Sequence, residues 1–297
     1  MDAPAKIDLG PVTIALLTDG FWRNDGGCMF GVVPRELWRR EHPPDEHNRI
    51  RLNLVCPLII RGNEAVLVDT GIGNRLSDVE RKIFDHGDGW LCDGLERLGM
   101  EPGDVTCVVL SHLHFDHAGG IVRRRPSGRF EAAFARARVV VQAGELEVAR
   151  SSRNERLRAA YRHVPECLEP VAQRLEPVSG TVELIPGVRA AVTGGHTYDH
   201  QVVRVETGQG SFVHLADIVP TRSHLRGPWN QAYDLDALRT MEEKERYLSR
   251  ASTENGWVSF AHDDRLLAAR VRREHGRYQA AEGLLTGEDG ATEPGRA

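Results

Sequence analysis

Several things are missing from this sequence, and each absence removes a class of protein. No apolar run approaches the ~20 residues of a bilayer span. The longest, Leu52–Ile60, is strand-sized and interrupted by polar residues, so neither a membrane helix nor a membrane partner is expected. Residues 1–10 include Asp2, Lys6 and Asp8 and hold no apolar segment of a secretory signal, so the expected location is cytoplasmic. Positive charge is in short supply. Lys+Arg number 38 against 43 Asp+Glu, a net charge of −5, which is the wrong sign for a protein built to neutralise phosphates. The one basic triplet, Arg123-Arg124-Arg125, reads as a solvated loop, and no nucleic-acid partner is expected. The five cysteines (Cys28, Cys56, Cys92, Cys107, Cys167) are odd in number, widely spaced and form no C-x-x-C. They read as reduced, mostly buried thiols rather than a disulfide framework. Gly-x-Ser-x-Gly does not occur, which removes the usual serine-esterase elbow.

What remains is an ordinary globular composition, 40% hydrophobic and 27% charged over 297 residues. That length supports one large core without disulfide or metal staples. Short β-rich runs recur at Val12–Leu17, Leu52–Ile60, Ala65–Asp69, Val105–Leu110, Val139–Gln142, Val188–Val192, Val202–Glu206, Phe212–Leu215 and Trp257–Phe260. Arg61-Gly62-Asn63-Glu64 and Gly208-Gln209-Gly210 read as hairpin turns. Helices are expected over Asp88–Leu98, Asn154–Leu168 and Asp236–Ala251, the last with Asp236 as its N-cap. This mixture fits a layered α/β protein with mixed sheets better than a doubly wound parallel one. A single domain over residues 1–279 is expected, with 280–297 as a flexible tail, since that stretch lacks a periodic apolar pattern.

One segment carries chemistry. The apolar run Val108-Val109-Leu110 leads into His112-Leu113-His114-Phe115-Asp116-His117-Ala118-Gly119-Gly120, which holds three His and one Asp within six residues. At an extended strand end His112 and His114 project to one side and reach a common ion. A turn at Asp116 lets that carboxylate and His117 address a second ion. Imidazole plus carboxylate suits Zn²⁺, and also Mn²⁺, Fe or Co²⁺. These residues do not complete two ions alone. Further donors are expected at other strand ends, namely His196 in Gly194-Gly195-His196-Thr197, Asp217 in Leu215-Ala216-Asp217, and His262 in Ser259-Phe260-Ala261-His262-Asp263.

With these pieces the sequence resembles the metallo-β-lactamase superfamily, in particular its lactonase and organophosphate-hydrolase branch. The resemblance rests on Leu67-Val68-Asp69-Thr70-Gly71, the His112–His117 motif, Gly195-His196-Thr197, Asp217 and His262, and spans residues 65–262. It implies an αβ/βα four-layer sandwich of two mixed β-sheets flanked by helices. It implies two divalent metal ions, zinc first among them: His112, His114 and His196 on one, Asp116, His117 and His262 on the other, Asp217 bridging. Asp69 resembles a buried carboxylate that orients a ligating His through its free ring nitrogen. The implied reaction is hydrolysis by a metal-bridging hydroxide, with Asp116 as the catalytic residue that delivers a proton to the leaving group. The expected substrate is a small molecule with an ester or lactone bond. Phosphotriester or thioester hydrolysis is the alternative within hydrolases, and a mononuclear iron persulfide-type dioxygenase is the alternative outside them, one that leaves Asp116, His117 and His262 without a role. The chain departs from the lactonases at Pro220, where they carry a Tyr, and at Tyr198-Asp199, where Pro-Gly is usual. A homodimer stays open. Pocket walls are sought among Phe21, Trp22, Met29 and Phe30, read as part of a polar loop, then Tyr161 and His163, and Arg222, His224 and Trp229. His86, His200 and His214 are not expected to ligate.

Overall fold

The computed structural model describes residues 3–87, 89, 91–151, 153–286 and 295–296. Its first sheet begins as an antiparallel meander of β1 (Ala5–Asp8), β2 (Thr13–Asp25), β3 (Arg49–Arg61) and β4 (Glu64–Val68). Arg61 faces Glu64 across the expected hairpin turn, with Gly62 at φ 58°, where a side chain would be strained. β5 (Cys107–Val109) then pairs in parallel with β4. A small exposed hairpin of β6 (Val122–Arg124) and β7 (Phe130–Ala132) precedes β8 (Arg138–Gln142) and β9 (Leu175–Val178), which extend the parallel half. The strand order is β1-β2-β3-β4-β5-β8-β9.

The second sheet follows chain order: β10 (Val182–Ile185), β11 (Val188–Val192), β12 (Gln201–Thr207), β13 (Gly210–His214), β14 (Trp257–Ser259), β15 (Leu266–Glu274), β16 (Arg277–Leu285) and β17 (Gly295–Arg296). It is antiparallel except for β13 and β14, and a parallel neighbour requires a long crossover. All the helices but α1 (Gly26–Phe30) and α2 (Arg35–Trp38), which lie between the antiparallel β2 and β3, fill such crossovers. α3 (Asp78–Phe84) and α4 (Leu91–Arg97) lead to β5. α5 (Phe115–Ala118) follows β5; α6 (Ala143–Ser151), α7 (Glu155–Ala160) and α8 (Val164–Leu168) follow β8; α9 (Ala237–Glu254) joins β13 to β14.

The period of two along the strands explains the layers. Ile14, Leu16, Val66 and Val68 point between the sheets, where they meet Val188, Val203, Val205 and Phe212. Their neighbours Ala15, Leu17, Ala65 and Leu67 point outward under Leu91, Leu95, Leu146 and Leu168 of the helices. On the far side α9 lays Tyr247, Leu248 and Ala251 on Val213, Val258 and Ala269. Both faces of each sheet are covered, so the central strands read as continuous apolar runs rather than alternating ones. The result is the four-layer αβ/βα sandwich of mixed sheets.

The structure corrects several boundaries. β2 runs to Asp25, so Phe21 and Trp22 lie on a strand and not in a loop; a register shift between Thr18 and Phe21 lets it continue through Gly20. The expected helix Asn154–Leu168 is two, because the turn at Tyr161–His163 and Pro165 interrupt it. Asn154 caps the first by accepting from Arg156 N. α9 is capped as expected, Asp236 accepting from Arg239 N at 2.9 Å. Ordered structure does not end at 279: β16 continues to Leu285, paired with β15 and packing Tyr278 and Leu284 against the two cores. Residues 287–294 and 297 of the expected tail, and Asp88 and Trp90 of the expected helix, lie outside the described residues. Among the described residues no cysteine is paired, and no helix is long and apolar enough to cross a membrane.

Candidate metal centre

The site forms where strands of both sheets run out. β4 ends at Val68, and the chain turns through Asp69 at φ 58° and Gly71 at φ 68°. A left-handed non-glycine residue is strained, and such strain collects at functional sites. The second instance here is Ala216, at φ 43°, directly before Asp217. The turn buries the Asp69 carboxylate, whose Oδ1 accepts from Ser111 N at 2.6 Å and whose Oδ2 accepts from Ser111 Oγ at 2.7 Å and His117 Nδ1 at 2.8 Å. Burial opposes its charge, but His117 outweighs burial and holds the carboxyl well below the ordinary range.

These outer contacts fix which ring nitrogen carries the proton. Carboxylate and carbonyl oxygens only accept, so a ring nitrogen bonded to one must donate. His117 Nδ1 faces Asp69, His196 Nδ1 faces Asp234 Oδ1 at 2.8 Å, and His262 Nδ1 faces the Asn53 carbonyl at 2.9 Å. Ser111 gives its hydroxyl proton to Asp69 and so accepts from His112 Nδ1 at 3.0 Å. In the neutral ring that a metal ion requires, Nε2 of each of these four is then the free lone pair, aimed inward.

Those lone pairs converge. His117 Nε2 and His262 Nε2 stand 3.2 Å apart, and His196 Nε2 is 3.1 Å from His114 Nδ1. His112 Nε2 is buried without a partner. Asp217 straddles the group, Oδ2 lying 3.2 Å from His196 Nε2 and Oδ1 3.1 Å from His262 Nε2 and 3.3 Å from His117 Nε2. Gln231 Nε2 donates to its Oδ2 at 3.1 Å. Asp116 Oδ2 is 3.4 Å from His262 Nε2. The donor atoms fall into three overlapping groups, each within 4.8 Å: His112, His114 and His196; His112, His117 and Asp217; Asp116, His117 and His262.

In the neutral form that a cation requires, such facing lone pairs would repel, and buried polar atoms without partners cost about 1–3 kcal/mol each. Divalent cations held among these donors would turn both penalties into coordinate bonds. The donors, imidazoles and carboxylates with no thiolate, match zinc, manganese, cobalt or iron. The residues present thus fit a pair of divalent ions. Without an ion, burial and the neighbouring imidazoles push His112 and His114 far below the usual imidazole range. Burial works against charge on His117 too, but Asp217, Asp116 and Asp69 outweigh it and raise that ring well above the range. Burial likewise opposes the Asp217 charge, and His117, His196 and His262 hold that carboxyl well below its ordinary value.

All seven expected ligands meet here. The pocket expectations fare less evenly. A cavity of about 490 Å³ opens onto His114, Asp116, Asp217 and His262, with Trp22, Met29, Phe84, Phe115, Leu157 and Leu235 among its walls. Trp22, Phe84 and Phe115 form one aromatic cluster with ring centroids 5.0–5.7 Å apart. Tyr161 and His163 also line it. Phe21 instead lies under the Arg51 guanidinium, 3.6 Å from its ring centre. Phe30 is sandwiched between Trp38 and His224. Arg222 pairs with Asp263, His224 Nε2 bonds the Met29 carbonyl at 2.9 Å, and Trp229 packs edge-on to Phe30, so none of these three reaches the cavity. His86, His200 and His214 bond Phe21 O, Thr193 Oγ1 and Ser259 Oγ and stay outside the donor groups. Sequence reading missed Asp234, Gln231 and Asn53. Each comes from a segment remote from the residue it orients and stands in no motif spacing.

Residues 55–262 match the sequence profile of the Metallo-beta-lactamase superfamily, and the chain belongs to that superfamily. Curated relatives include an N-acyl homoserine lactonase of Bacillus thuringiensis, 36% identical over 56% of this chain and 63% of its own length. A corresponding lactonase of Bacillus cereus is 29% identical over 57% and 64%. The match thus spans somewhat under two thirds of those lactonases. A probable metal-dependent hydrolase from Staphylococcus aureus superposes with a TM-score of 0.86 at 29% identity, covering 94% of this chain and 99% of that one. A dizinc quorum-quenching lactonase shares the fold, with a TM-score of 0.77 at 18% identity over 94% of this chain and 96% of its own.

Proposed function

We propose that the protein is a dinuclear metal-dependent hydrolase of small-molecule esters or lactones, with N-acyl homoserine lactones as the first substrates to test. The observation that carries this reading is the convergence of five imidazoles, four of them oriented by an outer contact, and two carboxylates at the floor of a largely apolar cavity. His112, His114 and His196 would hold one cation and Asp116, His117 and His262 the other, with Asp217 placed between the two groups. When bound, two such ions supply a water ionised near neutral pH and a Lewis acid for a carbonyl oxygen.

The chain's own residues do the rest. Asp69, Asp234 and the Asn53 carbonyl keep the Nε2 lone pairs of His117, His196 and His262 aimed inward. Asp116 faces the cavity and accepts the proton of the attacking water at its carboxylate, then returns it to the leaving alkoxide. Trp22, Phe84 and Phe115 exclude bulk water and bury the apolar part of a substrate. The lactonase relatives favour a lactone among the ester-type bonds.

The test is proton release from acyl homoserine lactones, aryl esters, phosphotriesters and thioesters, with protein stripped of metal and reloaded with zinc, manganese or iron. Turnover of a lactone or ester that depends on metal supports the reading. Turnover confined to phosphotriesters or thioesters overturns the substrate class. Oxygen uptake by a single-iron form overturns the reaction class.

A further inference from the structure

α6 starts hard against the loop that carries His196: a methyl group at Gly144 would overlap the Asp199 carboxylate. The next residue, Glu145, is wholly buried. A buried carboxylate is costly unless its lone pairs are filled, and here no Lys or Arg fills them among the described residues. Instead Glu145 Oε2 accepts from the backbone N of Leu113 at 3.1 Å and from Tyr161 Oη at 2.9 Å, and Oε1 accepts from Thr197 Oγ1 at 2.5 Å. The backbone of Asp199 also bonds it.

The addresses of these donors share a property. Leu113 lies between His112 and His114, Thr197 directly follows His196, and the Tyr161 ring packs against the His114 ring with centroids 5.5 Å apart. All three imidazoles belong to one of the donor groups. They come from two segments 82 residues apart, whose nitrogens must nonetheless meet at 3.1 Å. The other half has its own supports, Asp69 for His117 and Asn53 for His262. We infer that Glu145 is a positioning residue of the His112, His114 and His196 half: Ser111 and Asp234 orient single rings there, whereas Glu145 clamps the two segments at the separation a cation needs before one arrives. Metal sites tolerate only about 0.5 Å of misplacement, so a clamp on one half changes the affinity of that half alone.

The inference rests on the dinuclear reading, and the test separates the two. Metal-free wild type, Glu145→Gln, Tyr161→Phe and Thr197→Val are titrated with Co²⁺, followed by the visible absorption of the bound ion and by competition with a chelator. Wild type takes up two equivalents. In Glu145→Gln, which keeps shape but accepts through one oxygen only, one of the two affinities falls about 10- to 100-fold and the other holds. Tyr161→Phe and Thr197→Val remove one donor each and lower the same affinity by smaller factors, so they decide the matter if the Gln variant does not fold. Both affinities unchanged, or both falling in parallel, overturns the clamp while leaving the centre intact. Wild type that takes up no cobalt overturns the centre and the clamp with it.

Discussion

Asp234 and His196 are both buried, and the Asp234 carboxylate receives the His196 Nδ1 proton at 2.8 Å across 38 residues of chain. That contact leaves the His196 Nε2 lone pair pointing at the donors around it. Asp234→Ala removes the acceptor, frees the ring to flip and lowers affinity for the adjacent cation by about 10- to 100-fold. Asp234→Asn keeps an acceptor oxygen and loses less. A metal titration of the two variants beside wild type checks both statements.

The proposed mechanism gives Asp116 two duties, a donor to one cation and a proton carrier at the cavity floor. Asp116→Asn keeps the shape and cannot take up a proton. At saturating metal, kcat falls by about 10²- to 10⁴-fold, with KM changed little. Equal kcat in the variant would remove Asp116 from proton transfer.

Leu157 of α7 forms part of the cavity wall and belongs to none of the donor groups. Leu157→Trp shortens the apolar part of the cavity without touching a donor. For a series of acyl lactones, kcat/KM then drops by about tenfold for long chains and holds for short ones, read by proton release. A uniform drop across the series would place the acyl chain elsewhere.

Lys244 gives a pH dependence remote from the metal donors. It is buried on α9, and its Nζ donates to the Trp229 carbonyl at 2.6 Å and Asn230 Oδ1 at 2.9 Å. Burial pushes its amine down to about 7, whereas an unfolded lysine holds its proton to about 10.4. Between these values the unfolded chain binds more protons than the folded one, so unfolding becomes harder as pH rises. The contribution is full above about pH 10.4, lost as pH falls to 7, and amounts to at most about 5 kcal/mol. Urea unfolding across that window shows this positive slope in wild type and a shallower one in Lys244→Met.

Much of this was legible in the sequence, for identifiable reasons. Strands covered on both faces are apolar almost throughout, so β4, β5 and β8 stand out as runs. The donors cluster at strand ends, where His112, His114, Asp116 and His117 fall within one short motif. β15 and β16 were not legible, since Arg270, Arg272, Arg273 and Glu282 interrupt their apolar content and the ladder between them supplies the order. Phe21 and Trp22 read as a loop because Gly20 and Asn24-Asp25-Gly26-Gly27 surround them, yet β3 pairs with β2 along their whole length. Glu145 looks like any helix-surface acid, and only the fold shows it turned inward against four donors. Residues that orient ligands follow no spacing rule, because each is chosen by where its segment happens to pass.

The central claim is a pair of cations in one cluster of seven side chains. The most direct measurement is elemental analysis of metal-loaded, dialysed protein, combined with anomalous diffraction at the edge of the element found. The account predicts two divalent ions per chain, one among His112, His114 and His196 and one among Asp116, His117 and His262, with Asp217 touching both. A chain that retains no stoichiometric metal, or a single iron on the first His group alone, would contradict it.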